Sequence, residues 1–292
     1  MSHADESESR PHDNLLSCEV EISRVAFENA RTALRVHSQL SIQARLAELC
    51  KLRHAILAHR SIIIERVMQE VGKCRTDALI AEILGTLDWL NWLENNAERL
   101  LKPEKVKTPI TLLGKQSLLL HEPLGVVLII CPWNYPFHNA ITGIAAAIAT
   151  GNTVVYKPSE HAPCKGLVEQ VLACSPMLQA LVQVVYGDGS LGSALIDQQP
   201  AKIFFTGSGP TGSKIMAQAS RELIPVELEL GGKDPMIVFA DAPIARSVAG
   251  ALWGAFTNAG QSCSGVERLL VEHSVLDRFV DSLVQEAEKL VV

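Results

Sequence analysis

Between residues 126 and 228 short apolar runs alternate with longer segments of helical character, and the runs end in loops rich in Pro, Gly or charge. The runs cover 126–130, 154–156, 181–185, 202–205 and 225–228. The segments between them, 137–149, 161–173, 191–196 and 211–220, read as helices. Val126-Val127-Leu128-Ile129-Ile130 has no polar position, which suits a strand covered on both faces rather than one with a wet side. This βαβα order predicts an α/β fold, a mostly parallel Rossmann-type sheet with helices on both faces. In such sheets ligands bind beyond the carboxyl ends of the strands, so the loops after 130, 157 and 205 are where a site is expected.

The flanking segments are of other kinds. Residues 1–14 read as a disordered tail. A helical block follows from 18 to 100, where Ile22, Val25, Phe27, Ala30, Ala33 and Leu34 recur at spacings near three and four. Ser41 is placed to cap a second helix and Ser61 a third that Gly72 ends. A fourth helix over 78–93 carries Trp89 and Trp92 on one face. Core packing is the expected role of that pair; a coiled coil or membrane-surface helix is disfavoured because no heptad is sustained. Residues 101–115 read as a linker and 116–120 as a strand. After the sheet, 236–239 and 266–272 read as strands and 243–257 as a helix, with Ser274 capping a last one. The expected organisation is therefore 15–228, the N-terminal helices and the dinucleotide-type unit, and 229–292, the start of a second α/β unit.

Composition narrows the function. Hydrophobic residues make up 48% of the 292 and charged ones 20%, as a globular chain requires. A formal net charge of −6 without a long basic stretch argues against a nucleic-acid partner. The seven cysteines form no CxxC pair and their number is odd, which points to a reducing compartment and away from disulfides or a structural metal site. The polar, acidic start lacks a signal-peptide core, and the apolar run at 126–130 is too short to span a bilayer. A cytoplasmic protein without a transmembrane segment is the expectation.

Two reactive side chains stand beside glycines. Glu229 opens Glu-Leu-Gly-Gly-Lys, and Cys263 lies in Asn-Ala-Gly-Gln-Ser-Cys-Ser. A thiol needs a base or an electropositive niche to act as a nucleophile, and glycines allow close approach of a ligand. The competing reading is that Cys263 is a small buried hydrophobe and Glu229 part of a surface turn. Cys131-Pro132-Trp133-Asn134-Tyr135-Pro136 follows the first run. There Asn134 offers an amide to an oxyanion, or the prolines make a merely rigid loop. Lys157-Pro158-Ser159-Glu160 follows the second. Lys157 suits sugar hydroxyls or phosphate and Glu160 ribose hydroxyls, against the alternative of an ordinary charged turn. Gly207-Ser208-Gly209-Pro210-Thr211-Gly212 joins a strand to a helix, as a pyrophosphate-holding loop does. It is not a GxGxxG, because the third glycine falls one place late, and it lacks the Walker lysine.

Taken as a set, the Pro-Trp-Asn-Tyr-Pro, Lys-x-x-Glu, Phe-Thr-Gly-Ser, Glu-Leu-Gly-Gly-Lys and Gly-Gln-x-Cys stretches resemble the aldehyde dehydrogenase superfamily in order and spacing. The resemblance covers about residues 20–292. It implies NAD(P)-dependent oxidation of an aldehyde to an acid through a cysteine thioester. Cys263 matches the nucleophile, Glu229 the general base and Asn134 the oxyanion amide. Lys157, Glu160, Ser208, Gly207 and Gly212 match cofactor contacts, and Trp133 and Leu230 join them. The implied cofactor is NAD, with NADP as the alternative, since Glu160 opposes a 2′-phosphate. Full-length members are longer and form homo-oligomers. Their later segment supplies a Phe-Gly-Pro loop and a pairing strand that this sequence lacks, so a truncated form, an incomplete gene model or a fragment is expected, and the resemblance does not carry the oligomerisation over to it. The alternatives are a non-catalytic dinucleotide-binding or regulatory partner, and a reductive acyl-phosphate or acyl-CoA enzyme, against which Glu229 counts. Residues 230–292 are expected to lack a core of their own and to turn Phe279 and Val284 to water.

Overall fold

The computed structural model describes residues 11–291. Its centre is a parallel five-stranded sheet made of β3 (Val126–Ile130), β4 (Thr153–Lys157), β5 (Val182–Val184), β6 (Lys202–Gly207) and β7 (Val226–Leu230). The spatial order is β5-β4-β3-β6-β7. The chain moves outward from β3 to β5, then returns to the other side of β3. The strand order thus reverses at β3, and the crevice at that reversal is where a doubly wound sheet binds its ligand. Register places the strand ends together: Ile130 pairs with Lys157 and with Phe205, Thr206 with Glu229, and Gly207 with Leu230.

Period-two geometry explains why the unbroken apolar run can be satisfied. Val127 and Ile129 point into one core, with α2 (Ile42–Val71), α4 (Gly85–Leu101), α5 (Pro136–Ala149), α6 (Leu167–Leu172) and α7 (Pro176–Leu181). Val126, Leu128 and Ile130 point into the other, with α1 (Pro11–His37), α8 (Gly189–Asp197) and α9 (Gly209–Ala219). All five strand residues are buried. Truncating Ile144, fully buried on α5, to Ala would cost about 2–5 kcal/mol.

Local signals decided most boundaries. Ser41 caps α2, its hydroxyl accepting from the Ala44 N–H at 3.2 Å. Gly72 ends it in a left-handed conformation, φ 78°, which only glycine adopts freely. Several expectations are corrected. Helix α1 covers Pro11–His37, so 11–14 are helical rather than disordered; the rest of the expected tail lies outside the described residues. Ser61 starts no helix, because α2 runs through it with Ile56, Ile63 and Ile64 in the same core. The supposed fourth helix is longer: α3 (Arg75–Asp77), a π-helical stretch Ala78–Leu84 and α4 run on as one rod. Trp89 and Trp92 do stack, centroids 5.3 Å apart, yet Trp92 is 43% exposed, and the pair lines a cleft of about 480 Å³ with Gly85, His138 and Thr142. The linker contains β1 (Glu104–Val106), paired antiparallel with β2 (Ser117–Leu119). Only 167–172 of the helix expected over 161–173 forms, since Cys164 (φ 42°) and Gly166 (φ 81°) break the run before it.

Past the sheet, β8 (Asp234–Val238) pairs parallel with β9 (Val266–Val271), joined by α10 (Ile244–Phe256) and followed by α11 (Leu276–Ala287). The expected boundary at 228/229 falls inside β7, whose ladder with β6 continues to Leu230. This last unit does have a small core. Phe279 is buried against Val238, Val248 and Ala251, contrary to expectation, while Val284 is 50% exposed. Ser274 lies in a 3₁₀ turn ahead of α11 and does not cap it. No described helix is long and apolar enough to cross a membrane.

Candidate active site

The loops after β3, β4 and β6, the end of β7 and the segment before β9 surround one cleft of about 1070 Å³. Its wall includes Trp133, Asn134, Lys157, Glu160, Gly207, Ser208, Glu229, Leu230 and Cys263. Each is there because a parallel strand ends at that edge or because the chain returns across it. Gly212 is not in the wall. It sits a turn into α9, where an added Cβ would come within 2.9 Å of Leu230 Cδ2, so it permits close helix–sheet packing. Among the described residues no group of three or more His, Cys, Asp or Glu is placed to hold a metal.

The β4 and β6 edge fits a dinucleotide. Lys157 is 2% exposed, yet its ammonium has only long partners, Pro158 O at 3.3 Å and Glu160 Oε2 at 3.4 Å. An ammonium has three donors, and one buried this far with stretched contacts is suited to ligand hydroxyls or phosphate in the cleft. Partial burial opposes the Glu160 charge, but its own backbone N–H and the Lys157 ammonium outweigh that and hold its carboxyl below the usual range. Ser208 caps α9, accepting from the Thr211 N–H at 3.3 Å, which leaves a helix start facing the cleft.

The Cys263 side is built by cross-links. Asn134 Nδ2 donates to Gln261 O at 2.8 Å, committing one of its two amide protons. Asn258 Nδ2 donates to Asn134 O and to Gln261 O, both at 3.1 Å. Gln261 Nε2 returns to Asn258 O at 3.0 Å and reaches Val71 O at 3.2 Å. Asn258 and Ala259 are both left-handed, φ 57°, a conformation costing about 1–2 kcal/mol for a residue with a side chain. The Asp77 carboxylate, 2.8 Å from the Asn258 N–H, helps to hold that turn. Cys263 and Glu229 are exposed. Cys131 also borders the cleft, but burial pushes its thiol far above the ordinary range, so it is not a competing thiolate.

Residue types alone missed the supports behind this loop. Lys73, Glu82 and Tyr135 drew no attention, and Asn258 and Gln261 stood only as letters in a motif. Burial pushes the Glu82 carboxyl up and the Lys73 ammonium down, each opposed by the other's charge. Burial likewise raises Tyr135.

A parallel sheet reversing at its central strand, with a capped glycine loop beside the crevice, defines an α/β fold of the doubly wound, dinucleotide-binding class. Residues 11–292 match the aldehyde dehydrogenase family, and the chain belongs to it. It is 40% identical over 265 residues to 4,4'-diapolycopene aldehyde oxidase of Methylomonas sp, covering 90% of this chain and 50% of that protein. It superposes on a crystal structure of an NADP-dependent enzyme of E. coli with TM-score 0.86 at 30% identity, covering 93% of this chain and 56% of that one. It also resembles betaine aldehyde dehydrogenase of Staphylococcus aureus in complex with NAD+, TM-score 0.84 at 30% identity, covering 91% and 53%. The chain thus spans about half the length of these relatives.

Proposed function

We propose that the cleft binds NAD(P) and that its residues carry out aldehyde oxidation through Cys263. The thiolate attacks the aldehyde carbonyl, forming a C–S bond, while the Asn134 amide and the Cys263 N–H receive the developing oxyanion. Oxidation of the Cys263 adduct to a thioester needs a hydride acceptor, which a nicotinamide would supply when bound. Glu229 takes a proton from the water that cleaves the C–S bond and releases the acid. Lys157, Glu160, Gly207 and Ser208 would hold the dinucleotide, and Trp133 and Leu230 line the same cleft. The observation that carries this reading is the convergence of Asn134, Glu229 and Cys263 on the cleft that also holds the buried Lys157 ammonium.

For the 292-residue chain by itself, a second reading has its own support. Cys263 and Glu229 are exposed, and so are the large apolar side chains of Trp253 (74%), Phe239 (62%) and Phe256 (53%). Covalent steps depend on positioning and exclusion of water. We therefore read this chain as a dinucleotide-binding form with impaired turnover. Calorimetric titration with NAD and NADP tests the first half, and NADH production on the monodisperse chain with short, long and aromatic aldehydes tests the second. Absence of dinucleotide binding would overturn both readings. A turnover of about 1 per second, the low end of ordinary enzymes, that is abolished in Cys263→Ala would overturn the second alone.

A further inference from the structure

The loop between β3 and α5 is held from behind by an ion pair outside the cleft. The Lys73 and Glu82 side chains are both fully buried, with Nζ and Oε1 2.6 Å apart. Both direct their remaining contacts to the same short stretch. Lys73 Nζ donates to Asn134 O at 2.7 Å and lies 4.2 Å above the Tyr135 ring. Glu82 Oε2 accepts from the Phe137 N–H at 3.1 Å and the His138 N–H at 2.8 Å. These N–H groups lie in the first turn of α5 and have no intrahelical partner. Glu82 thus caps α5 from another helix, as a carboxylate at the positive end of the dipole.

Backbone geometry brings Glu82 there. It lies in the π-helical stretch Ala78–Leu84, and such widened turns shift the side chains that follow around the helix face. Thr86 fastens the same region, donating to Glu82 O at 2.7 Å and meeting His138 Nδ1 at 3.0 Å. On the far side, Asn134 O also accepts from Asn258 Nδ2. One carbonyl oxygen therefore receives a donor from the N-terminal helices and another from the segment that carries Cys263. A buried ion pair contributes little net stability, because well-packed apolar residues often do as well; fixing geometry is the better account of it.

We propose that Lys73 and Glu82 are positioning residues for the nucleophile: they lock the Asn134 peptide, and through Asn258 and Gln261 that peptide sets the position of the Cys263 loop. The inference rests on the reading of Asn134 and Cys263 as reacting groups. It assigns the pair no contact with substrate.

The test uses the 292-residue chain carrying Lys73→Met with Glu82→Gln, which removes both charges together, in the presence and absence of Asn134→Ala with Asn258→Ala, which together remove the links from the Asn134 peptide to the Cys263 loop; Asn134→Ala is also measured alone. Hydrogen exchange resolved by peptide is measured over 257–265 and, as a control, over 126–130. Single-turnover acylation of Cys263 by p-nitrophenyl acetate is followed by p-nitrophenolate release. The thiolate displaces the phenolate and becomes a thioacetate, located by peptide mass because Cys18, Cys50, Cys74 and Cys174 are not buried either. The expected result is exchange about tenfold faster at 257–265 with 126–130 unchanged. Acylation should fall about tenfold when Asn134 and Asn258 are present and less than about twofold when both are Ala, the signature of groups acting through one another. Unchanged exchange at 257–265, equally faster exchange at 126–130, or the same fold-loss in both backgrounds would overturn the proposal. If Asn134→Ala alone leaves acylation unchanged, the oxyanion role of Asn134 fails, and the exchange result decides the positioning role by itself. Should the neutral pair not fold, Glu82→Asp, which keeps the charge and shortens its reach, goes through the same cycle.

Discussion

Asn134 Nδ2 donates to the main-chain oxygen of Gln261 across 2.8 Å of space and 127 positions of sequence. Through this bond the loop that ends the central strand of the sheet holds the turn that presents Cys263. Asn134 follows a strand of the five-stranded sheet and Cys263 precedes a strand of the two-stranded one, and this contact links the two together with the bond from Asn258 Nδ2 to Asn134 O.

Alkylation should discriminate among the cysteines. Cys263 is exposed, whereas burial strongly disfavours the Cys131 and Cys164 thiolates. With limiting iodoacetamide at pH 8, peptide mass spectrometry should find Cys263 modified at least about tenfold faster than either, since the thiolate is the reacting form. Faster labelling of Cys131 would reverse the assignment of the nucleophile.

Lys157→Met should weaken dinucleotide binding without unfolding the chain. A hydrogen bond to a charged group contributes about 1.5–3 kcal/mol, or roughly 10- to 150-fold in affinity. Methionine fills a similar volume and removes a buried ammonium, so the melting temperature should hold or rise. An unchanged Kd for both NAD and NADP would show that Lys157 does not face the ligand.

Glu160 should bias the cleft toward NAD. Its carboxyl is held below the usual range, so it stays charged at pH 7 and opposes a 2′-phosphate. Glu160→Gln is expected to tighten NADP binding relative to NAD by about tenfold, or 1.4 kcal/mol. A ratio of dissociation constants unmoved by the substitution would mean that another group sets the preference.

Glu229→Gln should slow release of the acyl group more than its formation. Positioned acid–base groups contribute about 10²–10⁴-fold. With Cys263 acetylated in a single turnover, the variant should retain the acyl mass far longer than the parent chain, while its acylation rate changes little. Equal deacylation rates would remove Glu229 from that step.

Stability should fall on the acid side of neutrality through His37. Desolvation lowers its pKa; the ring is buried, with Nε2 3.1 Å from Ile148 O and Nδ1 unpartnered. Above the unfolded value of about 6.5 both states hold the ring neutral. Below it the unfolded chain takes up the proton first, so stability declines as pH falls toward the folded pKa. Urea midpoints measured from pH 7.5 to 5.5 should show this loss, and His37→Gln should flatten it. An unaltered slope in the variant would assign the acid sensitivity elsewhere.

Local chemistry made much of this legible in the residues themselves. A five-residue apolar run such as 126–130 has nowhere to go but between two layers, and glycine at 72 or serine at 41 sets a helix end by what its own atoms permit. The loops after β3, β4 and β6 were placed at the binding edge by chain order, because consecutive parallel strands must all end on the same side. Glu229 and Cys263 stood out because few residue types can do their chemistry.

Tertiary structure decided the rest, where the deciding partner is far along the chain. Ser61 and Ser274 have the right side chain for a cap, but packing of Ile63 and Ile64 carries α2 through one, and a 3₁₀ turn separates the other from α11. Phe279 looks stranded in the sequence and is buried, since Val238 and Val248 fold back over it. Lys73 and Glu82 carry no signal of their own: nine positions apart in a helical region, they read as solvated charges. Only the π-helical turn and the closure of α5 bury them together against Asn134, because a buried charge is tolerated only where a folded partner meets it. The sequence by itself determined the sheet and the edge at which its loops gather, with Glu229 and Cys263 among the side chains there. The three-dimensional packing alone decided which groups hold those side chains in place, because hydrogen bonds between distant segments have no local signature.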